Sequence, residues 1–312
     1  MVDLKKFWVI FSVALAMVFW GITFVVFKYA NASFNPIAIV FTRLLISIPF
    51  LFSFAFLSGR YMRFRKGDFK WFLLMSLFEP FIYFLGESFG LSMVSSTLAA
   101  IIVSTIPLFV PIAAFFFLKE RLTYTNIVGL IISFAGVLMV IMGTDGRLFG
   151  NIKGIMLMFV AVFGAVGYTI IAKRLLDYYN GIIITAWQST LGFLYIAPIF
   201  FIAEFPHIDF AAVLPSSVWA LLYLGVFGSG ICYILFSVGI RELGASKANV
   251  FANLVPVVTA IISFFVLKEA MPLLKISGII VVLGGLFLSQ LTNVRQKLNS
   301  KKWRKWISMP RV

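Results

Sequence analysis

The sequence predicts an all-α integral membrane protein, with ten transmembrane helices arranged as two inverted five-helix repeats. Three observations carry that expectation: hydrophobicity, self-similarity and the placement of charge. Ten apolar stretches lie near 7–29, 36–57, 71–92, 95–118, 123–142, 154–172, 182–203, 217–240, 245–267 and 273–291. Each has 19 or more residues, enough at a rise of about 1.5 Å per residue to cross ~30 Å of hydrocarbon. With 62% hydrophobic residues, 12% charged and 37 Phe, the chain carries more apolar side chain than a water-soluble domain of 312 residues can hide.

The second observation is a repeat. Shifted by 149 residues, Pro107 meets Pro256, Phe115-Phe116 meets Phe264-Phe265, Lys119-Glu120 meets Lys268-Glu269, Gly129 meets Gly278 and Gly136 meets Gly285. The front of the unit matches at a shift of 146, where Gly21, Thr23 and Lys28 fall on Gly167, Thr169 and Arg174, and Phe41 falls on Trp187. Five helices are an odd number, so the second copy must sit the opposite way up, related to the first by an axis in the membrane plane. The expected units are residues 1–142, an inverted copy at 151–292, and a basic tail at 293–312.

Charge is the third observation. Ten spans put the N-terminus, the even-numbered loops and the C-terminus on one side, which then holds twenty Lys and Arg against five opposite (Lys28, Arg147, Lys153, Lys268 and Lys275). That is the positive-inside pattern, so both termini are expected in the cytoplasm. The net charge of +15 is therefore topology, and no nucleic-acid partner is expected.

Taken in order, helix 1 begins at Lys5-Lys6 and runs past Ala14-Leu15-Ala16 to Phe27, too long for a signal-peptide core, so it is expected to stay uncleaved. It carries Trp20. Helix 2 holds Arg43, the basic residue deep in a span. Helix 3 contains Glu79-Pro80, Tyr83 and Glu87, spaced i, i+4, i+8 and so expected on one stripe drifting by about 80°. Charges in mid-span cost roughly 2.5–3.5 kcal/mol each on insertion scales, so both acids must face the bundle or a wet cavity. They are candidates for proton coupling or for holding a substrate cation; the alternative is an ion pair with Arg43, and exchange of that pair could itself be a switch.

Pro80, Pro107 and Pro256 are candidate hinges, and with Pro111 they free carbonyls inside spans. Helix 4 ends at Lys119-Glu120 and helix 9 at Lys268-Glu269. There Lys complements the dipole of the helix that ends and Glu the N-terminus of the helix that follows. Glycines at 129, 136, 278, 284 and 285 are expected to bring helices close.

The second half supplies Tyr168 in helix 6, Trp187 and Gln188 in helix 7, Tyr233 in helix 8, and Asn249 and Asn253 one turn apart in helix 9. With Trp20 and Tyr83, these aromatics are either cavity walls or packing in a Phe-rich bundle. The two asparagines are either a polar contact or interhelical glue. One cysteine, Cys232, leaves no internal disulfide or cysteine metal cluster, and the single histidine, His207, lies in a loop; no metal or cofactor is expected. The tail from Asn293, basic with Trp303 and Trp306, is expected against anionic lipid headgroups.

These segments resemble the drug/metabolite transporter superfamily, in its ten-helix EamA-type branch. The resemblance is carried by Phe19-Trp20-Gly21, Thr42-Arg43-Leu44-Leu45, Ile106-Pro107 through Lys119-Glu120-Arg121-Leu122, Val255-Pro256 through Lys268-Glu269, and the paired glycines. It implies a transporter of small metabolites in the plasma (inner) membrane, often an exporter, with a cavity between the halves lined largely by helices 1, 3, 4, 6, 8 and 9. Gly86-Glu87-Ser88-Phe89-Gly90-Leu91, with Glu79-Pro80, departs from the commoner pattern and marks a subgroup.

The expected function is secondary active transport by alternating access, as an exporter coupled to protons or working by exchange. The expected substrate is a small molecule such as an amino acid or an amphipathic compound. The absence of a Gly-x-x-x-x-Gly-Lys loop argues against ATP, and the absence of an intramembrane His or paired Asp argues against an enzyme. A channel or a non-transporting membrane protein is the alternative. The oligomeric state is left open by the sequence, with a monomer sufficient.

Overall fold

The computed structural model describes residues 4–63, 65–118, 124–141, 151–243, 248–249, 251–285 and 287–288. Ten helices fill them: α1 (Leu4–Asn31), α2 (Pro36–Leu57), α3 (Phe69–Met93), α4 (Ser96–Phe117), α5 (Tyr124–Ile141), α6 (Ile152–Leu175), α7 (Gly181–His207), α8 (Pro215–Leu243), α9 (Phe251–Val266) and α10 (Leu273–Gly285). Seven are long and apolar enough to cross a membrane, and α5, α9 and α10 are shorter apolar helices. No strand occurs among the described residues. Lys119-Glu120 and the basic tail lie outside them.

Local chemistry sets the boundaries. Asn151 and Asn180 cap α6 and α7 by accepting the backbone N–H of Lys153 and Ile183 at 2.9 and 3.0 Å. Proline opens α2 and α8, where a missing N–H costs nothing. Gly59, at φ +64, lets the chain leave α2. In α4 the helix loosens at Ser104 and Thr105 just before Pro107; their hydroxyls donate to the carbonyls of Ile101 and Ile102 at 2.7 and 2.6 Å.

Helix packing obeys an exchange rule. α1 packs on α8 and α9, and α6 packs correspondingly on α3 and α4. α2 packs on α7, its own counterpart. α5 meets α10 through glycine: a Cβ on Gly136 would strike the Val282 backbone, one on Gly278 would strike Val140, and one on Gly285 would strike Ser133. Adding or subtracting five maps this set of contacts onto itself, as a two-fold relation between two five-helix units requires. Gly284 departs from the expectation, because it faces open space.

α3 and α8 are interrupted near their middles, and α7 has a further π segment at Phe200–Glu204. α3 contains a π-helical segment, Leu77–Ile82, in which Glu79 is extended at φ −149 and ψ 116 and joined to Pro80 by a cis peptide bond. Its repeat partner α8 carries another π segment at Leu224–Ile231, rich in glycine. The single-stripe geometry expected for Glu79, Tyr83 and Glu87 therefore fails at Glu79. The α3 break is tightly clothed, since Gly164 and Gly167 of α6 lie against Phe78, and Gly192 of α7 seats the Pro80 ring.

Glu269 does more than expected. Its carboxylate pairs with Lys275 of the following helix, α10, at 3.5 Å, and it also reaches across to the other repeat. It accepts from the Ser96 N–H at 2.8 Å, the Thr97 hydroxyl at 2.6 Å and the Thr97 N–H at 3.4 Å, all at the N-terminus of α4 in the other repeat. On the opposite face, the Tyr179 hydroxyl donates to Asp68 at 2.7 Å and accepts from the Arg65 N–H at 3.0 Å. Burial raises the Tyr179 pKa, and the bond to Asp68 raises it further.

Candidate functional site

A cavity of about 80 Å³ lies at the centre of the bundle, lined by α1, α2, α3, α4, α6, α8 and α9 with the residues just before α9. That is space for a few waters or a small ligand group. Of the residues singled out from sequence, Trp20, Arg43, Glu79, Tyr83, Glu87, Tyr168, Tyr233 and Asn249 all line it. Trp187, Gln188 and Asn253 do not. Trp187 packs edge-on against Phe52 at 5.6 Å in the α2–α7 seam. Gln188 is 2% exposed, and its side-chain oxygen and that of Asn253 have no hydrogen-bond partner among the described residues. The hinge candidates Pro107 and Pro256 are buried in α4 and α9, and Pro80 sits at the α3 break.

The charged centre has a definite wiring. Arg43 is 3% exposed and donates from Nε to the Ser229 hydroxyl at 2.8 Å. Its Nη1 pairs with Glu87 Oε2 at 3.4 Å. The guanidinium carbon stands 3.8 Å from the centroid of the Phe84 ring, a cation–π contact. Gly228 makes room for this group, since a Cβ there would come within 3.1 Å of Arg43 Nη2. The second Glu87 oxygen accepts from the Tyr83 hydroxyl at 3.0 Å. Arg43 and Glu87 are thus neutralised by one another and further hydrogen-bonded, the arrangement a buried ion pair needs to offset its desolvation.

Glu79 is different. It is 5% exposed and accepts a hydrogen bond from the Tyr233 hydroxyl, and no salt-bridge partner reaches it among the described residues. Aromatic rings surround it. Tyr233 meets Trp20 edge-on at 5.1 Å, Tyr168 at 6.1 Å and Phe84 at 6.4 Å, and Trp20 meets Phe236 at 5.3 Å. Trp20 is held by its indole N–H, which donates to the Gly228 carbonyl in the π segment of α8 at 3.1 Å. The interruptions of α3 and α8 therefore supply the acid, the arginine's seat and the anchor of the aromatic wall.

Several lining residues were not singled out. Thr23 and Thr169 both face the cavity, and their hydroxyls satisfy the carbonyls of Trp20 and Ala165. They match each other at the 146 shift, so the repeat itself held the signal. Met17 and Phe24 flank Trp20 by one helical turn, and Phe236 follows Tyr233 by nearly one.

The fold and this central cavity define a membrane transporter, and comparison with known proteins gives the family. The model of the EamA-like transporter family matches the chain twice, over residues 7–142 and 152–291. The chain belongs to that family. It is 30% identical over 293 residues to a protein of Archaeoglobus fulgidus named an uncharacterized transporter, covering 91% of this chain and 98% of the relative. It is 27% identical over 231 residues to the Bacillus subtilis uncharacterized transporter YetK, covering 72% and 68% of the two chains. A solved structure titled only as the crystal structure of a protein shares the fold at a TM-score of 0.69, with 15% identity over 91% of this chain and 98% of that one. The protein is a multi-pass membrane transporter, and its substrate is a small molecule.

Proposed function

We propose that this transporter is a secondary carrier that binds a small amine-bearing metabolite, amino acids and amphipathic amines included, in the central cavity. It passes the substrate across the plasma (inner) membrane by alternating access. The observation that carries this is Glu79. Arg43 answers Glu87, which leaves Glu79 as a cavity carboxylate with one hydroxyl partner inside a wall of aromatic rings. A proton or a substrate ammonium can occupy that place, and the two compete; rings that face an ammonium add cation–π attraction. Competition for one carboxylate is sufficient to couple a proton gradient to export. The termini and the basic tail lie on the cytoplasmic side, where the tail meets anionic headgroups.

The test uses reconstituted protein. A thermal-shift screen against metabolites identifies a ligand, since anything that binds only the folded state raises its melting temperature. With that ligand, Glu79→Gln is expected to abolish pH-gradient-driven uptake and to weaken ligand binding and counterflow, because the ammonium loses its counter-charge. Equal pH-driven uptake by Glu79→Gln and the unaltered protein would remove the coupling role, and unitary currents would replace the carrier with a channel.

A further inference from the structure

The turn between α3 and α4 is gripped from two sides. From α1, Lys28 donates its ammonium to the carbonyls of Leu91 and of Val94, the latter at 2.6 Å, where α3 ends. From the turn after α9, Glu269 takes up the N–H groups of Ser96 and Thr97, where α4 begins. A cation on carbonyls and an anion on amides each match the partial charges at helix ends. The Ser96 hydroxyl adds a bond to the Phe24 carbonyl of α1 at 2.9 Å. Directly inward, α4 and α9 pack on one another along Ser96–Val103 and Leu254–Val266, and the cavity begins at Val103, Ile106 and Val255. The grip therefore seals this face above the cavity.

The repeat supplies a comparison. At the 146 shift Lys28 corresponds to Arg174, and at the 149 shift Leu91 and Val94 correspond to Ile240 and Leu243, where α8 ends. If the two halves were equivalent, Arg174 would reach those two carbonyls. Instead its guanidinium lies 4.3 Å from the centroid of the Trp71 ring, at the start of α3. One member of a matched pair of cations is engaged on its helix end and the other is parked elsewhere.

We infer that Lys28 and Glu269 form a clasp that holds shut the face bearing the α3–α4 turn, and that Arg174 is the corresponding clasp of the opposite face, disengaged in this conformation. In the other conformation Lys28 and Glu269 release Leu91–Thr97, and Arg174 leaves Trp71 for the carbonyls of Ile240 and Leu243. This rests on the alternating-access proposal above and adds to it the groups that set which face is closed. The two conformations are balanced by a few charged hydrogen bonds, so removing one shifts their ratio by roughly tenfold.

The experiment reads closure directly. In a Cys232→Ser background, Ser95→Cys and Ala270→Cys place two thiols in the pocket beside Glu269, on either side of the contact. A short bifunctional thiol reagent joins them when the face is closed. Lys28→Gln and Glu269→Gln are expected to lower the closed-to-open ratio read by cross-linking roughly tenfold, and Arg174→Gln to raise it by a similar factor. Lys28→Arg should restore the ratio, which separates a lost clasp from a damaged fold. Changes of the same sign in Lys28→Gln and Arg174→Gln, or no change in either, would overturn the clasp. Counterflow decides the underlying proposal separately: it is expected to stop in the cross-linked protein, and undiminished counterflow there would remove alternating access itself.

Discussion

Arg43 and Glu87 show how one pair can look like the whole of a site while leaving the reactive group elsewhere. Their bond is 3.4 Å long and both are nearly withdrawn from solvent, so neither can lose the other cheaply. Arg43→Gln alone strands Glu87 and is expected to cost about 3–5 kcal/mol of stability, whereas Arg43→Gln with Glu87→Gln should recover most of that loss. Thermal unfolding of the four proteins in detergent checks it; simple additivity would mean that the pair is not coupled. The acids were legible because an ionised group inside a span is costly and needs a reason. Trp187 and Gln188 misled for an equally physical cause, since a polar or amphipathic residue in a span is also used for packing. The repeat could have corrected this. Phe41, the match of Trp187, stacks on Phe200 at 3.8 Å, so both positions belong to the α2–α7 seam.

At the level of helices, small residues mark where backbones pass closely. Gly192 seats the Pro80 ring, so Gly192→Ala should force α3 and α7 apart and cost about 1–3 kcal/mol by overpacking. Gly284 faces open space; Gly284→Ala should be harmless or stabilising by up to about 1 kcal/mol, through helix propensity alone. Comparison of the two melting temperatures tests whether the distinction is steric. From sequence Gly284 was expected in a close contact and Gly192 was not singled out, because a one-dimensional pattern does not show which side of a helix faces a neighbour. The break in α3 was half legible: Pro80 announced a missing donor, but the extended backbone of Glu79 depends on Gly164, Gly167 and Gly192 arriving from two other helices. The π segment of α8 has no proline, and its glycines were read neither as a break nor as a seat for Arg43.

For the molecule as a whole, the membrane class and the twofold plan were plain in the sequence because lipid imposes length and hydrophobicity on every span. Contacts between the halves were not, as Glu269 illustrates: its partners in the first half lie 172 and 173 residues away in the chain. A second cross-half tie gives a pH prediction. The folded protein holds the Tyr179 proton more tightly than the unfolded chain does, so the tie to Asp68 is fully present below about pH 10 and is lost as pH rises through the raised folded value. Tyr179→Phe should lower stability near neutrality by about 1 kcal/mol and flatten this alkaline decline, as unfolding midpoints measured across pH would show.

The charges at the centre have no twins. At the 149 shift Glu79 falls on Gly228 and Glu87 on Phe236, and at the 146 shift Arg43 falls on Ser189. A scaffold with mirrored halves thus encloses electrostatics donated by only one of them. In the carrier proposed above, cargo reaching the centre from either compartment would meet the same framework but a lopsided field. The outward- and inward-open arrangements would then differ in energy, and the gradients alone would set the net direction.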